Sequence, residues 1–224
     1  MELRVAPHPL LDARAFVTAF PAPLGTLADE MREAEIFGSW WAESRPATIA
    51  TSDEVRKRVR DLLRHGKFKP TGRSKPASEY LVKALEAGRL RAINLAVDAC
   101  NLVSFHCGLP ISVVDLAKAE APFRIERERQ NSKYEFNPSG QSIDLSDLLC
   151  LFDRNGPCAN AVKDSQRTKT DNETTQTLSI LWGASQLPNH SDAAEQWYRS
   201  LLEGCGCRTE SVALRKLASS PNNR

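Results

Sequence analysis

The sequence contains no long apolar run and none of the short motifs that identify the common enzyme classes. No stretch approaches the roughly 18 consecutive apolar residues that a membrane-spanning helix needs, so we expect no membrane segment. The opening residues MELRVAPHPLLDARAF lack the apolar stretch of a signal peptide, which predicts a cytoplasmic protein. The motifs GxSxG, HExxH and GxGxxG are absent, so neither a serine-hydrolase elbow, a zincin site nor a dinucleotide site is expected.

The cysteines and histidines do not have the spacing of a metal site. Structural zinc sites use two close pairs of ligands, whereas this sequence has one close pair, Cys205 and Cys207. The histidines are scattered at His8, His65, His106 and His190. We therefore expect no metal, no cofactor, and six cysteines present as reduced thiols. A thiol nucleophile at Cys100 or Cys107, paired with His106, is a less favoured alternative.

The order of the elements favours an α+β fold. Helical spacing predicts helices from Ser52, over 77–87 and over 95–107, and short alternating runs then predict several strands. Further helices are predicted over 191–203 and at RTESVALRKLA. Helices followed by strands and then helices are typical of α+β proteins rather than doubly wound α/β proteins.

The same patterns predict three regions along the 224 residues. Residues 1–50 are expected to form an N-terminal extension on the main domain, residues 51–186 that domain, and residues 187–224 a C-terminal helical segment. Trp40 and Trp41 are interpreted as a packing anchor, with an exposed stacking platform as the alternative.

Positive charge is concentrated between Arg56 and Lys75. This run has one acid, Asp61, and a net charge of +8 from nine basic residues: Arg56, Lys57, Arg58, Arg60, Arg64, Lys67, Lys69, Arg73 and Lys75. Such a cluster could neutralise nucleic-acid phosphates, although a solvated helix face would look the same.

Within this run, GKFKPTGRS is not a nucleotide phosphate loop. Gly72 comes one residue too late, and Arg73 stands where lysine is required. Arg73 and Lys75 could still bind a phosphate or a carboxylate through charge.

A second polar segment, KDSQRTKT, follows a predicted strand. It places eight hydrogen-bonding side chains in succession, from Lys163 to Thr170. Loops at strand ends often carry function, so we interpret this segment as a candidate site, with a solvated loop as the alternative.

The segment INLAVDACNLVSFHCGLPISVVD, residues 93–115, resembles the pattern I-N-x-V-V-D-V-T-N-Y-V-x-L-E-x-G-x-P-x-H-A-F-D. That pattern belongs to the B3/B4 domain of the bacterial phenylalanyl-tRNA synthetase β subunit. The residues that fall in register are Val97, Asp98, Asn101, Gly108, Pro110 and Asp115. Downstream, LFDRNGPCANAVKDSQRTKT and TTQTLSILWGA are similar to free-standing relatives of that domain, so the resemblance covers about residues 50–185.

This resemblance implies a three-layer α+β sandwich of two β layers and one α layer, with added N- and C-terminal helical segments. It also implies an editing function, in which the acceptor end of a mischarged tRNA is bound and its aminoacyl ester is hydrolysed. The expected partners are tRNA or aminoacyl-tRNA and an amino-acid-like small ligand. An activated ester needs a positioned water and oxyanion donors more than a strong nucleophile.

The sequence departs from the family pattern at three places. Ser112 replaces a histidine, Cys100 replaces a threonine, and SILWGA lacks the glutamate that selects tyrosine. A tyrosine hydroxyl would lack its acceptor, so tyrosine is not the expected substrate. Trp182 is interpreted either as a pocket wall for a smaller ligand or as a core residue.

The resemblance and the polar segments together give the candidate site. The residues predicted to be catalytic are Asn101, Ser112, Lys163 and Asp164, with water as the nucleophile. The residues predicted to bind substrate or tRNA are Arg56, Arg60, Lys69, Arg73, Lys75, Arg167, Lys169 and Trp182. The alternative function is a non-catalytic module that binds tRNA, an amino acid or a related ligand in the same cleft.

Overall fold

The computed structural model of the protein describes residues 1–33 and 49–217. Within these residues the α-helices are α1 (Leu24–Glu33), α2 (Asp53–Leu63), α3 (Ala77–Glu86), α4 (Leu95–Cys107) and α5 (His190–Gly204). The helices predicted near 52, 77, 95 and 191 are therefore confirmed. Trp40 and Trp41, with their predicted anchoring role, lie outside the described residues.

Two sheets and a short hairpin account for the strands of the described residues. The strands are β1 (Glu2–Val5), β2 (Leu11–Ala19), β3 (Ile111–Asp115), β4 (Phe123–Arg127), β5 (Lys133–Glu135), β6 (Ser142–Asp144), β7 (Leu149–Asp153), β8 (Gly156–Asn160), β9 (Gln176–Ala184), β10 (Arg208–Ser211) and β11 (Ala213–Lys216). The first sheet has the order β11-β1-β4-β7-β8 and the second the order β10-β2-β9-β3, while β5 and β6 form the hairpin. With the helices, these sheets make the α+β sandwich expected from the sequence.

Helix α2 begins and buries one face as its sequence predicts. The Ser52 hydroxyl accepts a hydrogen bond from the Val55 N–H at 3.2 Å, which satisfies one of the unpaired donors of the first turn. Val59, Leu62 and Leu63 are buried on the inner face. The cap and the apolar spacing together explain why this segment is helical.

Helix α4 is defined at both ends by its own side chains and backbone. The Asn94 amide oxygen accepts from the Val97 N–H at 3.0 Å, and the Asp98 carboxylate accepts from the Ile93 N–H at 3.0 Å. Gly108 ends the helix with a φ of +75°, a left-handed conformation that glycine adopts without strain. The family-like segment therefore forms a buried helix and leads directly into β3.

The first twenty residues belong to the sheets, which corrects the prediction of an extension laid on the main domain. Strand β1 pairs with β4 and β11, and β2 pairs with β9 over its whole length from Leu11 to Ala19. Both strands have partners more than 100 positions away, and such non-local pairing leaves no local pattern in the sequence.

The C-terminal region also differs from the prediction, because RTESVALRKLA is two strands and not a helix. Strand β10 pairs antiparallel with β2, and β11 pairs parallel with β1. Val212 connects the two strands, so the chain passes from one sheet to the other at this residue. The edges of β1 and β2 offer backbone hydrogen-bond partners, and this tertiary pairing overrides the local helical preference.

Three segments meet where the two sheets approach each other. Strand β3 lies against the end of β8, where the Ser112 hydroxyl is 3.2 Å from the Asn160 carbonyl oxygen. The Ala77 N–H at the start of α3 donates to the Ala161 carbonyl oxygen at 2.9 Å. As a result, the basic segment before α3 and the polar segment after β8 lie side by side.

Candidate functional site

A buried hydrogen-bonded chain links β9, β3 and the polar segment after β8. The Trp182 indole N–H donates to the Ser112 hydroxyl at 2.9 Å, and that hydroxyl lies 2.7 Å from Asp164 Oδ1. Ser112 can donate its single proton to Asp164 or to the Asn160 carbonyl oxygen. Two of the four predicted catalytic residues, Ser112 and Asp164, are thus in direct contact.

Asp164 is the one carboxylate in this chain of contacts, and it is only partly exposed. Burial raises its pKa to about 6, while hydrogen bonds from Ser112 and from the Asn160 and Val113 N–H groups oppose that rise. Oδ1 receives the Ser112 hydroxyl and the Asn160 N–H, whereas Oδ2 receives the Val113 N–H at 3.4 Å. Oδ2 therefore keeps capacity to accept a proton or a further hydrogen bond.

Trp182 and Ser112 contribute to the site from inside the core. Trp182 has no exposed surface and Ser112 exposes 1%. The predicted pocket wall at Trp182 is therefore wrong, and its core alternative holds, since a fully buried ring cannot line an open pocket. Ser112 orients the Asp164 carboxylate and has no surface with which to contact a substrate.

Lys163 lies between two partly exposed aromatic rings. Its ammonium nitrogen is 3.7 Å from the centroid of the Phe136 ring and 5.9 Å from the centroid of the Tyr80 ring. Burial lowers the pKa of Lys163, and the positive charges of Arg73 and Lys169 lower it further. Arg73 is exposed, so it lies at the outside of the group of three cations that it forms with Lys163 and Lys169.

Lys169 and Arg167 have different roles, although both were predicted to bind tRNA. The Lys169 ammonium donates to the Phe136 carbonyl oxygen, and burial lowers its pKa. Arg167 makes two hydrogen bonds of 2.8 Å to the fully buried carboxylate of Asp153. Arg167 thus fixes the polar segment to β7, and its guanidinium is committed to that contact.

Most arginines of α2 have acidic partners, which reduces the positive potential predicted from the sequence. Arg56 lies 3.0 Å from Asp53, and Arg60 makes two bonds of 2.6 Å to Glu79. Arg58 and Arg64 likewise pair with acids of the same helix. Arg56 and Arg60, both predicted to bind tRNA, are therefore partly neutralised.

The basic segment after α2 keeps its charge exposed. Lys69 and Arg73 are exposed, and the neighbouring Lys83 ammonium lowers the pKa of Lys75. A lysine pKa that is lowered by a second lysine indicates that positive charge is concentrated at this part of the surface. Lys69, Arg73 and Lys75 are thus the predicted tRNA ligands that remain available for an anion.

Asn101 does not join the Ser112–Asp164 pair. Its side chain is partly exposed on α4 and makes no hydrogen bond within the part of the chain that the structure describes. A cavity of about 180 Å³ lies between α2, α3 and α4, lined among others by Val59, Val82 and Phe105. None of the four predicted catalytic residues lines this cavity, so a single pocket that holds all four is not found there.

The sequence did not single out Tyr80, Tyr134, Phe136 or Asn160. Tyr134 donates from its hydroxyl to the Lys163 carbonyl oxygen, and Asn160 donates from its amide to that same hydroxyl. These contacts hold the backbone of the polar segment in place. The run KYEF showed only the alternation of a strand, and no local signal joined it to residues some thirty positions away.

The buried thiols are not suited to nucleophilic catalysis. Cys100 lies 3.6 Å from the Ile111 carbonyl oxygen, and burial raises its pKa far above neutrality. Burial raises the pKa of Cys107 as well. Because the thiolate is the reactive form, the thiol-enzyme alternative is not supported.

Among residues 1–33 and 49–217, no group of three or more His, Cys, Asp or Glu side chains could hold a metal ion. None of the helices in these ranges is both long and apolar enough to cross a membrane.

Comparison with known proteins places this geometry in a family. The chain is 25% identical over 177 residues to the phenylalanine–tRNA ligase β subunit of Bartonella quintana (strain Toulouse), which covers 77% of this chain and 19% of that protein. It superposes with a TM-score of 0.50 and 11% identity on an N-terminal fragment of the Pyrococcus horikoshii phenylalanyl-tRNA synthetase β subunit, covering 96% of this chain and 52% of the fragment. The chain thus spans about a fifth of the bacterial relative and half of the archaeal fragment. The model of the B3/4 domain matches residues 68–200, more than half of the chain, so this protein belongs to the B3/4 domain family.

Proposed function

We propose that this protein binds the aminoacylated 3′ end of tRNA in trans and hydrolyses the ester that joins the amino acid to the terminal ribose. The observation that carries the proposal is the Asp164 carboxylate, which Ser112 orients and the Lys169 charge stabilises, and which Lys163 directly precedes in the chain. The similarity of the whole chain to the β subunits of phenylalanine–tRNA ligases supports tRNA as the ligand. A cytoplasmic location, where tRNA is aminoacylated, accompanies this proposal.

Asp164 would act as the general base. With a pKa of about 6, the carboxylate is mostly deprotonated at pH 7 and basic enough to accept a proton from water. The water oxygen attacks the ester carbonyl as its proton passes to Asp164 Oδ2, and a tetrahedral oxyanion forms. The intermediate then breaks the bond to the ribose oxygen, which takes the proton back from Asp164, so that a free amino acid and uncharged tRNA leave.

The surrounding cations would bind the charged parts of the substrate. The Lys163 ammonium, next in sequence to Asp164, is placed to stabilise the oxyanion, an electrostatic effect that is strong where water is partly excluded. Lys69, Arg73 and Lys75 would bind phosphates of the acceptor stem, because Lys69 and Arg73 are exposed and Lys75 is partly exposed.

One observation favours a second function, a binding module without catalysis. The Asp164 carboxylate already accepts three hydrogen bonds from the protein, and each of them favours the charged carboxylate and reduces its basicity. In that case Asp164 would bind the α-ammonium group of an aminoacyl ligand and leave the ester intact.

A panel of mischarged tRNAs separates the two functions. The purified chain is incubated with each aminoacyl-tRNA, and the remaining ester is followed alongside tRNA binding. Hydrolysis of one or a few esters, lost in Lys163→Ala with folding retained, supports the editing proposal. Tight binding that leaves every ester intact supports the module, and the absence of binding contradicts both.

A further inference from the structure

The Tyr80 and Phe136 rings flank a common space at the surface, around the ammonium of Lys163, which directly precedes Asp164 in the chain. One ammonium group, that of Lys163, reaches both ring faces, at 3.7 Å from the Phe136 centroid and 5.9 Å from the Tyr80 centroid. Both rings are partly exposed, whereas most aromatic side chains of a core are buried. An aromatic pair that is partly open to solvent and contacted by a flexible lysine resembles a binding site with an internal placeholder.

Each side of the pair is fixed by hydrogen bonds. The Tyr80 hydroxyl donates to the Gly72 carbonyl oxygen at 3.3 Å, which ties the ring to the segment that carries Arg73. The Phe136 carbonyl oxygen accepts from Lys169, and its N–H donates to the Gln141 carbonyl oxygen at 2.9 Å. The Tyr80 ring and the Phe136 backbone are therefore held in place, while Lys163 between the rings has a flexible four-carbon side chain and can leave.

The chemistry around the rings is that of a single-stranded nucleic-acid site. Arg73 and Lys169 bring two further positive charges to Lys163, so phosphates would be attracted to the rim of the same space. Aromatic faces beside such cations bind bases by stacking and cation–π contact, which tolerates any base. An apolar ligand would not need the cations, and a free phosphate would not need the rings.

We propose that Tyr80 and Phe136 form a stacking subsite for the base of the terminal nucleotide of an RNA 3′ end, and that this base displaces the Lys163 ammonium from between the rings. Lys163 then contacts the adjoining phosphate or the ester. The terminal nucleotide is the one assigned to the rings because its ribose carries the ester, and Asp164 directly follows Lys163 in the chain. This inference rests on the proposed function, since it assumes that an RNA 3′ end is bound at Asp164.

The test compares two hairpin RNAs with the full chain, by fluorescence anisotropy. Both hairpins copy an acceptor stem with an unpaired CCA end, and one of them has an abasic ribose at its last position. We expect wild type to bind the complete RNA about tenfold more tightly than the abasic RNA, a preference in the range of base–aromatic stacking. Phe136→Leu and Tyr80→Leu should reduce that preference to less than twofold and leave the affinity for the abasic RNA unchanged.

Two further variants separate stacking from a loss of structure. Phe136→Trp keeps an aromatic face and should keep the preference, whereas Phe105→Leu, a change at a partly exposed phenylalanine on α4, should leave both affinities unchanged. Thermal melts check that each variant is folded. Equal binding of both RNAs by wild type, or a preference that survives in the Tyr80→Leu/Phe136→Leu double variant, overturns the stacking inference alone. Binding of neither RNA overturns the proposed function together with it.

Discussion

The arginines of α2 and the cations beside Asp164 show how differently the same charge can be used. Arg58 and Arg60 on α2 each contact an acid at 2.6 Å. Burial lowers the pKa values of both Lys163 and Lys169; Arg73 and Lys169 lower that of Lys163 further, whereas Asp164 opposes the lowering at Lys169. Charge counted along the sequence is therefore a poor guide to potential, which depends on where the acids lie in the fold.

Arg167 tests this distinction most strongly, since it follows Asp164 by three residues in the chain but is paired with an acid like the arginines of α2. Arg167→Met would leave the buried Asp153 carboxylate without its bidentate partner, so we expect the free energy of unfolding to fall by about 2 kcal/mol, discounted for the exposed guanidinium. The control Arg58→Met, at an exposed helix pair, should cost about 0.5 kcal/mol or less. Urea denaturation measures both, and equal costs would contradict the distinction.

RNA affinity should depend on the cations that have no acidic partner, and not on the number of basic residues along α2. The double variant Arg73→Gln/Lys163→Gln should bind an acceptor-stem RNA about tenfold more weakly and reduce the slope of log K against log salt by about 2. The matched double variant Arg58→Gln/Arg64→Gln removes the same charge from paired positions and should change affinity less than about twofold. A larger loss in the α2 variant would show that the paired helix face binds the RNA.

A Ser112 variant should have a smaller effect, and it separates the orientation of the Asp164 carboxylate from the binding of RNA. Ser112→Ala removes a hydrogen bond that favours the charged carboxylate, so the pKa of Asp164 should rise above its value of about 6. The midpoint of the pH–rate profile for ester hydrolysis should shift upward by a fraction of a unit, while RNA affinity stays the same. A profile with an unchanged midpoint would contradict the assigned role of Ser112.

A pair of histidines, His8 and His65, lies where burial disfavours positive charge. His8 and His65 contact each other through Nε2, and burial, with His65 and Arg127, lowers the pKa of His8 to about 4. The pKa of His65 is lowered by burial and Arg127, with Asp147 opposing. Unfolded histidine has a pKa of about 6.5, so this stabilisation is complete above that pH and is lost as pH falls toward 4.

The corresponding measurement is thermal stability against pH. We expect the Tm of wild type to fall between about pH 6.5 and 4, and His8→Gln to lose part of that dependence. An identical pH dependence in wild type and variant would show that other groups are responsible.

The sequence predicted what is encoded locally. The cap at Ser52 and the spacing of α2 and α4 are local, and their helices were predicted correctly. The prediction also named both Ser112 and Asp164, because the family resemblance carries one and the polar segment the other. It missed β1, β2, β10 and β11, whose strand pairing is decided by distant partners.

The pairing of Tyr80 and Phe136 could not be predicted from the sequence either, because it also depends on contacts between distant residues. Tyr80 and Phe136 come together because the Ala77 N–H bonds to Ala161 and because Lys169 holds the Phe136 carbonyl oxygen. Trp182 was ambiguous, since a tryptophan on a strand suits a pocket wall as well as a core. Only the fold, in which its indole N–H donates to Ser112, decides between the two.

The central claim is that the Asp164 carboxylate performs ester hydrolysis, and its direct test is single-turnover deacylation by wild type and Asp164→Asn. The substrate is whichever mischarged tRNA wild type hydrolyses, and RNA binding is measured in parallel. The asparagine keeps the shape and can still accept from Ser112, but it cannot take a proton from water. We predict a loss of at least about a hundredfold in rate with RNA affinity within about threefold of wild type. A variant that hydrolyses the ester as fast as wild type would contradict the account.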